Sequence, residues 1–417
     1  MAISVEKKGS PEVAKASFPR RYGRYSEIRT SDFEFIFNLN GEIKTIRGLN
    51  AKWPHPAEQL KRTDGNDWVY YTVGDTSGDS GLISWMGEYY LPCLPYPSNA
   101  VWEVNYHKDA AIMNAFAVWS QTYASLFGMQ KDSLNSRAKD LIGRILQHHE
   151  GALYERSQKL NAIIGERVSV LPPDTRHVDY EVIPLLLADG CLYHCEFCCV
   201  KSNRTFQPRS QNNIIEQIRQ LKIHYGRNLE NYNALFLGNH DALAAGPASI
   251  CFTASEAHKA FGFGTHRTST PFLFLFGSVD SLLRSNDELL RELNQLPYYT
   301  YINIGFESMD ESTLKYIRKP LNVAKVRGAF TKMIEINSNY PNIEVTGNFL
   351  IGEQLLPEHY RCLAEVLRSA PGELHAKGAI YLSPLKDSPK KRELLPQFFE
   401  IKSQSQLPVY MYLIQRL

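Results

Sequence analysis

Three cysteines, Cys191, Cys195 and Cys198, stand in the pattern C-x3-C-x2-C. Seven cysteines scattered at random over 417 residues would give about 0.002 such triplets, so composition alone does not explain the spacing. Thiolates this close in sequence can converge on one soft metal centre from a single short loop. A fully ligated iron–sulfur cluster takes four cysteines. Three leave one iron with an open position, in the way that a catalytic zinc keeps one position free of protein. A metal needs that arrangement when it must itself bind a reactant. The competing reading is a structural zinc with His194 or Cys199 as fourth ligand. Both lie directly beside a thiol of the triplet, where one short backbone cannot easily aim neighbouring side chains at one ion. A disulfide framework is at odds with a chain this long and this poor in cysteine.

Such a loop needs a strand to launch it and helices to hold it. Val182-Ile183-Pro184-Leu185-Leu186-Leu187-Ala188 is a continuous apolar run, as expected of a strand buried on both faces of a parallel sheet, and the cysteines follow at once. Ser210 is placed to cap a helix whose apolar positions are Ile214, Ile215, Ile218 and Leu221. Five more strand–helix units follow, with strands at 234–237, 272–276, 301–306, 343–346 (running into 347–353) and 379–385. Their helices are expected from near Ala254, over 288–296, over 311–318 with a longer one carrying Val323, Val326, Phe330 and Met333, and over 357–369. Six consecutive βα units predict an α/β fold, a parallel sheet with right-handed crossovers.

The first 170 residues read differently. Residues 1–30 are polar and basic, with Arg20, Arg21 and Arg24 among tyrosines, and predict a surface-draped arm. Phe33, Phe35 and Phe37 alternate with Glu34, Ile36 and Asn38, and Asn40-Gly41 supplies a hairpin turn toward Ile43, Thr45 and Ile46. Trp68–Val73 is a further strand-like run, and 85–97 is an aromatic and proline-rich connection. Residues 108–165 are helical, with Leu141, Ile142, Ile145 and Leu146 forming one apolar stripe. Pro172-Pro173 marks the boundary. The domain map is therefore a basic N-terminal arm (1–30), an N-terminal α+β accessory domain (31–175), a (β/α)6 core (176–395) and a C-terminal tail (396–417). Residues 31–180 are expected to cover the open side of the core, with 85–97 reaching it. A net charge of +2 makes no electrostatic case for nucleic acid or a membrane surface. There is no apolar stretch of spanning length and no signal-peptide core at the N-terminus, and an odd number of cysteines with three clustered fits a reducing compartment, so a cytoplasmic setting is expected.

With Phe197 just before the third cysteine, the loop resembles the signature of the radical S-adenosylmethionine (radical SAM) enzymes, and the resemblance extends over about half of the chain. It implies a partial (β/α)6 TIM-type barrel and two cofactors: a 4Fe–4S cluster held by Cys191, Cys195 and Cys198, and SAM bound through its amino and carboxylate groups to the fourth iron. It also implies reductive cleavage of SAM to a 5′-deoxyadenosyl radical that acts on an unassigned, small-molecule or other substrate, with an electron donor of flavodoxin or ferredoxin type. The implied SAM contacts are Phe197 in the loop, Gly238 and Asn239 after the second strand, Ser278 after the third, Glu307 after the fourth with Arg318 one helix on, Asn348 on the fifth and Leu382 on the sixth. Arg318 would pair with the methionine carboxylate. Arg209-Ser210 adds a likeness to the branch of oxygen-independent coproporphyrinogen oxidases, methylthiotransferases and cobalamin-associated enzymes. Only Cys251 and Cys362 follow Cys199, too few for auxiliary clusters. The alternative is a non-catalytic iron–sulfur or haem-handling protein that retains the barrel.

Overall fold

A computed structural model describes residues 1–8, 23–49, 59–63, 66–71, 89–92, 110–129, 134–166, 170–178, 181–193, 195, 197–198, 204–238, 240–265, 270–371, 377–385 and 394–412. The chain opens with seven strands, each antiparallel to the next: β1 (Ala2–Lys8), β2 (Arg24–Arg29), β3 (Phe33–Phe37), β4 (Ile43–Gly48), β5 (Gln59–Thr63), β6 (Asn66–Tyr71) and β7 (Tyr89–Pro92). The expected N-terminal arm is thus corrected: β1 and β2 pair along their length. Their charges are matched across the strands. Lys7 bonds Glu27 at 2.7 Å, and Arg24 pairs with Glu6 on β1 and with Glu230 far along the chain. The hairpin turn forms at Asn40-Gly41, with Gly41 at φ +89° and Phe37 opposite Ile43. Any side chain at Gly41 would meet the Arg144 backbone at 2.8 Å.

Three helices follow: α1 (Ala110–Met129), α2 (Ser136–Leu146) and α3 (Glu150–Ile164). Leu141, Ile142 and Ile145 are buried, as the stripe predicts. Trp119 of α1 packs on Phe35 and Phe37, with ring centroids 5.0 and 5.5 Å away.

Beyond a buried 3-10 turn, Pro173–Val178, the chain enters β8 (Ile183–Leu185). This strand is shorter than its apolar run because the backbone turns away at Leu186, whose N–H and C=O bond the Gln217 side chain at 3.1 and 2.9 Å. Next come β9 (Ala188–Asp189), its antiparallel partner β10 (Gln207–Pro208), α4 (Gln211–Tyr225, capped by Ser210) and β11 (Ala234–Leu237). The barrel continues with α5 (Pro247–Phe261), β12 (Phe272–Gly277), α6 (Val279–Arg284), α7 (Asp287–Gln295), β13 (Tyr299–Glu307), α8 (Glu311–Tyr316), α9 (Val323–Asn339), β14 (Ile343–Ile351), α10 (Pro357–Ser369), β15 (Ile380–Pro384), α11 (Leu395–Gln404) and β16 (Val409–Met411). Helix α5 starts well before Ala254, because Gly246 breaks the chain and Pro247 suits the first helical position.

Strands β8, β11, β12, β13, β14, β15 and β16 form one parallel sheet in that order. The fold is α/β, a partial TIM-type barrel with seven strands rather than six. The seventh corrects the C-terminal tail: Phe398, Ile401, Leu407 and Val409 bury there, and β16 extends the sheet past β15. On β13, Phe306 meets Phe330 of α9, so its even-numbered neighbours face the helices while Tyr301 and Asn303 face the lumen.

One continuous apolar core runs through both halves of the chain. Polar bonds stitch them beside β8, at the edge of the barrel: Asn40 Nδ2 donates to Tyr225 O at 2.9 Å, and Arg156 Nη2 to His224 O at 2.8 Å. Most of 85–97 lies outside the described residues. Its described part, β7, stands at the far end of the first sheet from β1. Among the described residues, no helix is long and apolar enough to cross a membrane.

Candidate active site

The cysteine loop leaves β9 and returns on β10, so a short ladder closes its base. Gly190 makes the pinch possible: at φ +74°, an added Cβ would lie 2.3 Å from the Thr205 carbonyl oxygen. The Cys191 N–H donates to Arg204 O at 3.3 Å, and Cys198 N–H turns back to Cys195 O at 3.4 Å. Arg209 grips Asp189, just before the pinch, with two bonds of 2.6 and 3.0 Å, and its third bond reaches Ile164 O at the end of α3. That guanidinium, working against burial, holds the Asp189 carboxyl below the usual carboxylate range. Tyr193 hydrogen-bonds Asp280, which Lys325 holds from α9 at 2.8 Å.

Behind the loop lies a buried ion pair. Lys319 Nζ stands 3.0 Å from Glu307 Oε1 and donates to Gly305 O at 3.1 Å. The same ammonium lies 5.6 Å from the centre of the Tyr193 ring and 5.9 Å from that of Phe197. Burial alone would lower the ammonium's pKa. The Glu307 carboxylate and the nearby Cys195 and Cys198 more than reverse this and raise it. A register shift between Gly305 and Glu307, with Glu307 at φ +65°, re-aims the carboxylate. A Cβ on Gly305 would come 2.5 Å from Glu307 Oε1, so a side chain there would push the carboxylate out of this position.

Asp241 supplies a second buried charge. It caps the short turn after β11 through Oδ1, while Oδ2 is buried and, among the described residues, has no partner in hydrogen-bond geometry, although the Ser278 and Ser281 hydroxyls are near enough to oppose the effect of burial on its pKa. The hydroxyls of Ser278 and Ser281 lie near it but are engaged in a reciprocal cap at the start of α6. Burial therefore pushes the Asp241 carboxyl up, and its charge adds to the burial that pushes up the Cys191 thiol. Burial likewise pushes up Cys195, with Lys319 opposing.

The other expected contacts distribute as follows. Gly238 ends β11 at φ +87°, and Asn239 lies outside the described residues, as do His194 and Cys199. Ser278 sits at the end of β12, as a helix cap. Asn348 reaches into the lumen, where its Nδ2 donates to Asn303 Oδ1 at 2.5 Å. Leu382 is buried in mid-sheet, and its carbonyl accepts from Tyr412 N. Arg318 is exposed, and its neighbour Lys319 is a buried cation that faces the loop's Tyr193 and Phe197 rings. Among the described residues, no three His, Cys, Asp or Glu side chains are already drawn into a metal-holding cluster.

The sequence model of the radical SAM superfamily matches residues 185–355, from the end of β8 past β14. Residues 185–355 are therefore similar to a radical SAM domain. A curated relative, ribosomal protein uS12 methylthiotransferase RimO from Zymomonas mobilis subsp. mobilis, is 21% identical over 216 residues. The match covers 49% of this chain and 44% of the relative, so the chain spans less than half of that protein's length. Among solved structures, a radical SAM methyltransferase from Sphaerobacter thermophilus matches with a TM-score of 0.38 at 14% identity, over 54% of this chain and 64% of that one. SuiB from Streptococcus suis, solved with S-adenosylmethionine bound, matches with 0.37 at 11% identity, over 74% and 63%.

Radical SAM domains use a 4Fe–4S cluster and SAM, and two observations test the fit here. The triplet stands on one loop closed at its base, with Cys191 and Cys195 near enough to influence each other's charge. An orphaned carboxylate oxygen and a buried ammonium then flank that loop, matching the amino and carboxylate ends of an amino acid. The residues fit. Lys319 and Asp241 are the two that sequence reasoning passed over. A signal for each was present, as an adjacent cation in Arg318-Lys319 and as the only carboxylate in the loop 238–241.

Proposed function

We propose that the chain is a radical SAM enzyme in which Cys191, Cys195 and Cys198 hold three irons of a 4Fe–4S cluster and the fourth iron takes SAM. The observation that carries this is the pairing of the closed cysteine loop with Lys319 on one side and the unpartnered Asp241 oxygen on the other. When bound, the cluster supplies the electron that splits SAM into methionine and a 5′-deoxyadenosyl radical. The protein's part is to place SAM and exclude water. Among the described residues Lys319 has two acceptors, Glu307 and Gly305 O, for three N–H bonds. The third is the donor we assign to the methionine carboxylate, in place of Arg318. Asp241 accepts from the amino group. Gly238 and Asn239 give close backbone approach, and Glu307, Ser278, Asn348 and Leu382 line the nucleoside side. The Tyr193 and Phe197 rings shield the loop. A reduced flavodoxin or ferredoxin serves as electron donor, and the substrate is unassigned.

Anaerobic incubation of the reconstituted chain with dithionite and SAM tests the reading. The expected product is 5′-deoxyadenosine. Its reproducible absence with an intact cluster would favour a non-catalytic iron–sulfur or haem-handling protein.

A further inference from the structure

The 3-10 turn Pro173–Val178 does more than join the halves of the chain, because it enters the lumen of the barrel. Asp174 and Thr175 are fully buried. Asp174 Oδ2 accepts from the Thr346 hydroxyl at 2.8 Å, and Oδ1 accepts from the Tyr381 hydroxyl at 2.6 Å. His177 stacks on Tyr301, with ring centroids 4.9 Å apart. One turn is thereby tied to the inner faces of β13, β14 and β15.

The bond that Asp174 accepts from Thr346 sets the direction of those that lead on from it. An ionised carboxylate can only accept, so Thr346 uses its single proton on Asp174. Thr346 Oγ1 must then accept from Asn303, whose Nδ2 lies 2.8 Å away. This turns the Asn303 oxygen toward Asn348, and it accepts from Asn348 Nδ2 at 2.5 Å. Without the negative charge, Thr346 could donate to Asn303, and both amides could flip end for end. With it, the Asn348 nitrogen points toward β13, and the outer lone pair of its carbonyl and its second N–H are left for a ligand. The β13–β14 register sets Asn348 opposite Gly305, whose carbonyl carries Lys319. The end of the chain of bonds therefore stands beside the Glu307–Lys319 pair.

We infer that Asp174 is a positioning residue for SAM: through Thr346 and Asn303 it holds the Asn348 carboxamide in the one orientation that meets the nucleoside. This rests on the radical SAM function proposed above. It gives the segment between the two halves of the chain a role in cofactor binding.

The test uses the full chain with its cluster reconstituted, and four variants: Asp174→Asn, Thr346→Val, the two combined, and Tyr381→Phe. Iron content is measured first, then SAM affinity from the change in the EPR signal of the reduced cluster during titration. Asp174→Asn and Thr346→Val are each expected to weaken SAM binding about fivefold, the size of one lost hydrogen bond, with iron unchanged. The combined variant is expected to bind no more weakly than the weaker single one, because both break one chain of bonds. Tyr381→Phe removes a different partner of the same carboxylate without touching that chain, and should stay near wild-type affinity. Wild-type affinity in Asp174→Asn or Thr346→Val, losses that multiply in the combined variant, or an equal loss in Tyr381→Phe would each overturn the inference. If Asp174→Asn does not fold, Thr346→Val against Tyr381→Phe decides. A wild-type chain whose cluster signal ignores SAM sinks the radical SAM reading, and this inference with it.

Discussion

Lys319→Met probes the ion pair behind the cysteine loop. The two charges are 3.0 Å apart, and both residues are nearly buried, at 9% and 8% exposure. At an effective dielectric of ~20 their attraction is about 5–6 kcal/mol before desolvation is counted. Desolvating both groups offsets most of that, so the pair as a whole adds little to stability. Removing one partner is different, because it leaves the other charge buried and uncompensated, at a cost of about 3–5 kcal/mol. Methionine keeps the volume of the lysine stem against the Tyr193 and Phe197 rings, so little of the loss comes from packing. Lys319→Met is therefore expected to destabilise by ~3–5 kcal/mol and Glu307→Gln by somewhat less, since an amide can still bond the ammonium. The double variant should fall short of the sum by at least ~2 kcal/mol. Urea unfolding of the cluster-free chain, followed by far-ultraviolet circular dichroism at pH 7.5, gives all three values from one cycle. Single losses below ~1 kcal/mol that simply add would show that the two charges are solvated or differently paired, and the cation assigned to SAM would have to be sought elsewhere.

Three further outcomes follow from local geometry. Cys191→Ser, Cys195→Ser and Cys198→Ser should each lose the reconstituted chromophore of about 4 Fe per chain, while Cys199→Ser keeps it; iron and sulfide analysis with the reverse pattern refutes the ligand set. Gly190→Ala should cost more than ~3 kcal/mol, because the new methyl meets Thr205 and Arg204 backbone atoms within 2.6 Å, whereas Gly264→Ala, with φ +81° and open space, should cost only ~1 kcal/mol. Equal melting points for the two variants would contradict the pinch. His359 is fully buried, its Nε2–H donating to Leu350 O and its Nδ1 accepting from Ser308. Burial lowers its pKa below the ordinary 6.5, so the unfolded chain binds the extra proton more readily and this contribution to stability is lost as pH falls below that value. The stability gap between wild type and His359→Gln should accordingly narrow from pH 7.5 to 5.5, and a constant or widening gap refutes the assignment.

The barrel was legible where one short stretch carries its own period. Runs of four to seven residues gave six strands, and helix α10 begins and ends where its pattern does, at Pro357 and Ser369. Cysteine spacing is likewise local, so the triplet could be read without knowing what surrounds it. Side chains that act from a distance could not. Whether residue 318 or 319 turns inward depends on Arg318 lying at φ +52°, a left-handed kink that no property of arginine announces. Asp241 was overlooked because Asn239 occupies the place the resemblance emphasises. Polar character also misled at the N-terminus, where Glu6, Arg24 and Lys7 answer partners across strands and across more than 200 residues. The three-residue strand β16 is too short to stand out in sequence, and only the edge of β15 gives it a reason to form.

Pro172-Pro173 shows how a correct reading can still mislead. The composition does change there, and two fixed φ angles do end one pattern before the next begins. A boundary of that kind is usually exposed and has few contacts on either side. Here it is buried, with Leu171 accepting a bond from Tyr412 beside β16 and Asp174 accepting from β14 and β15. The stiffness that would make a proline pair a spacer between separate domains instead aims the following turn into the lumen. The two halves then share one core and, through Asp174, one polar network. The place where the sequence divides is a joint on which the barrel closes.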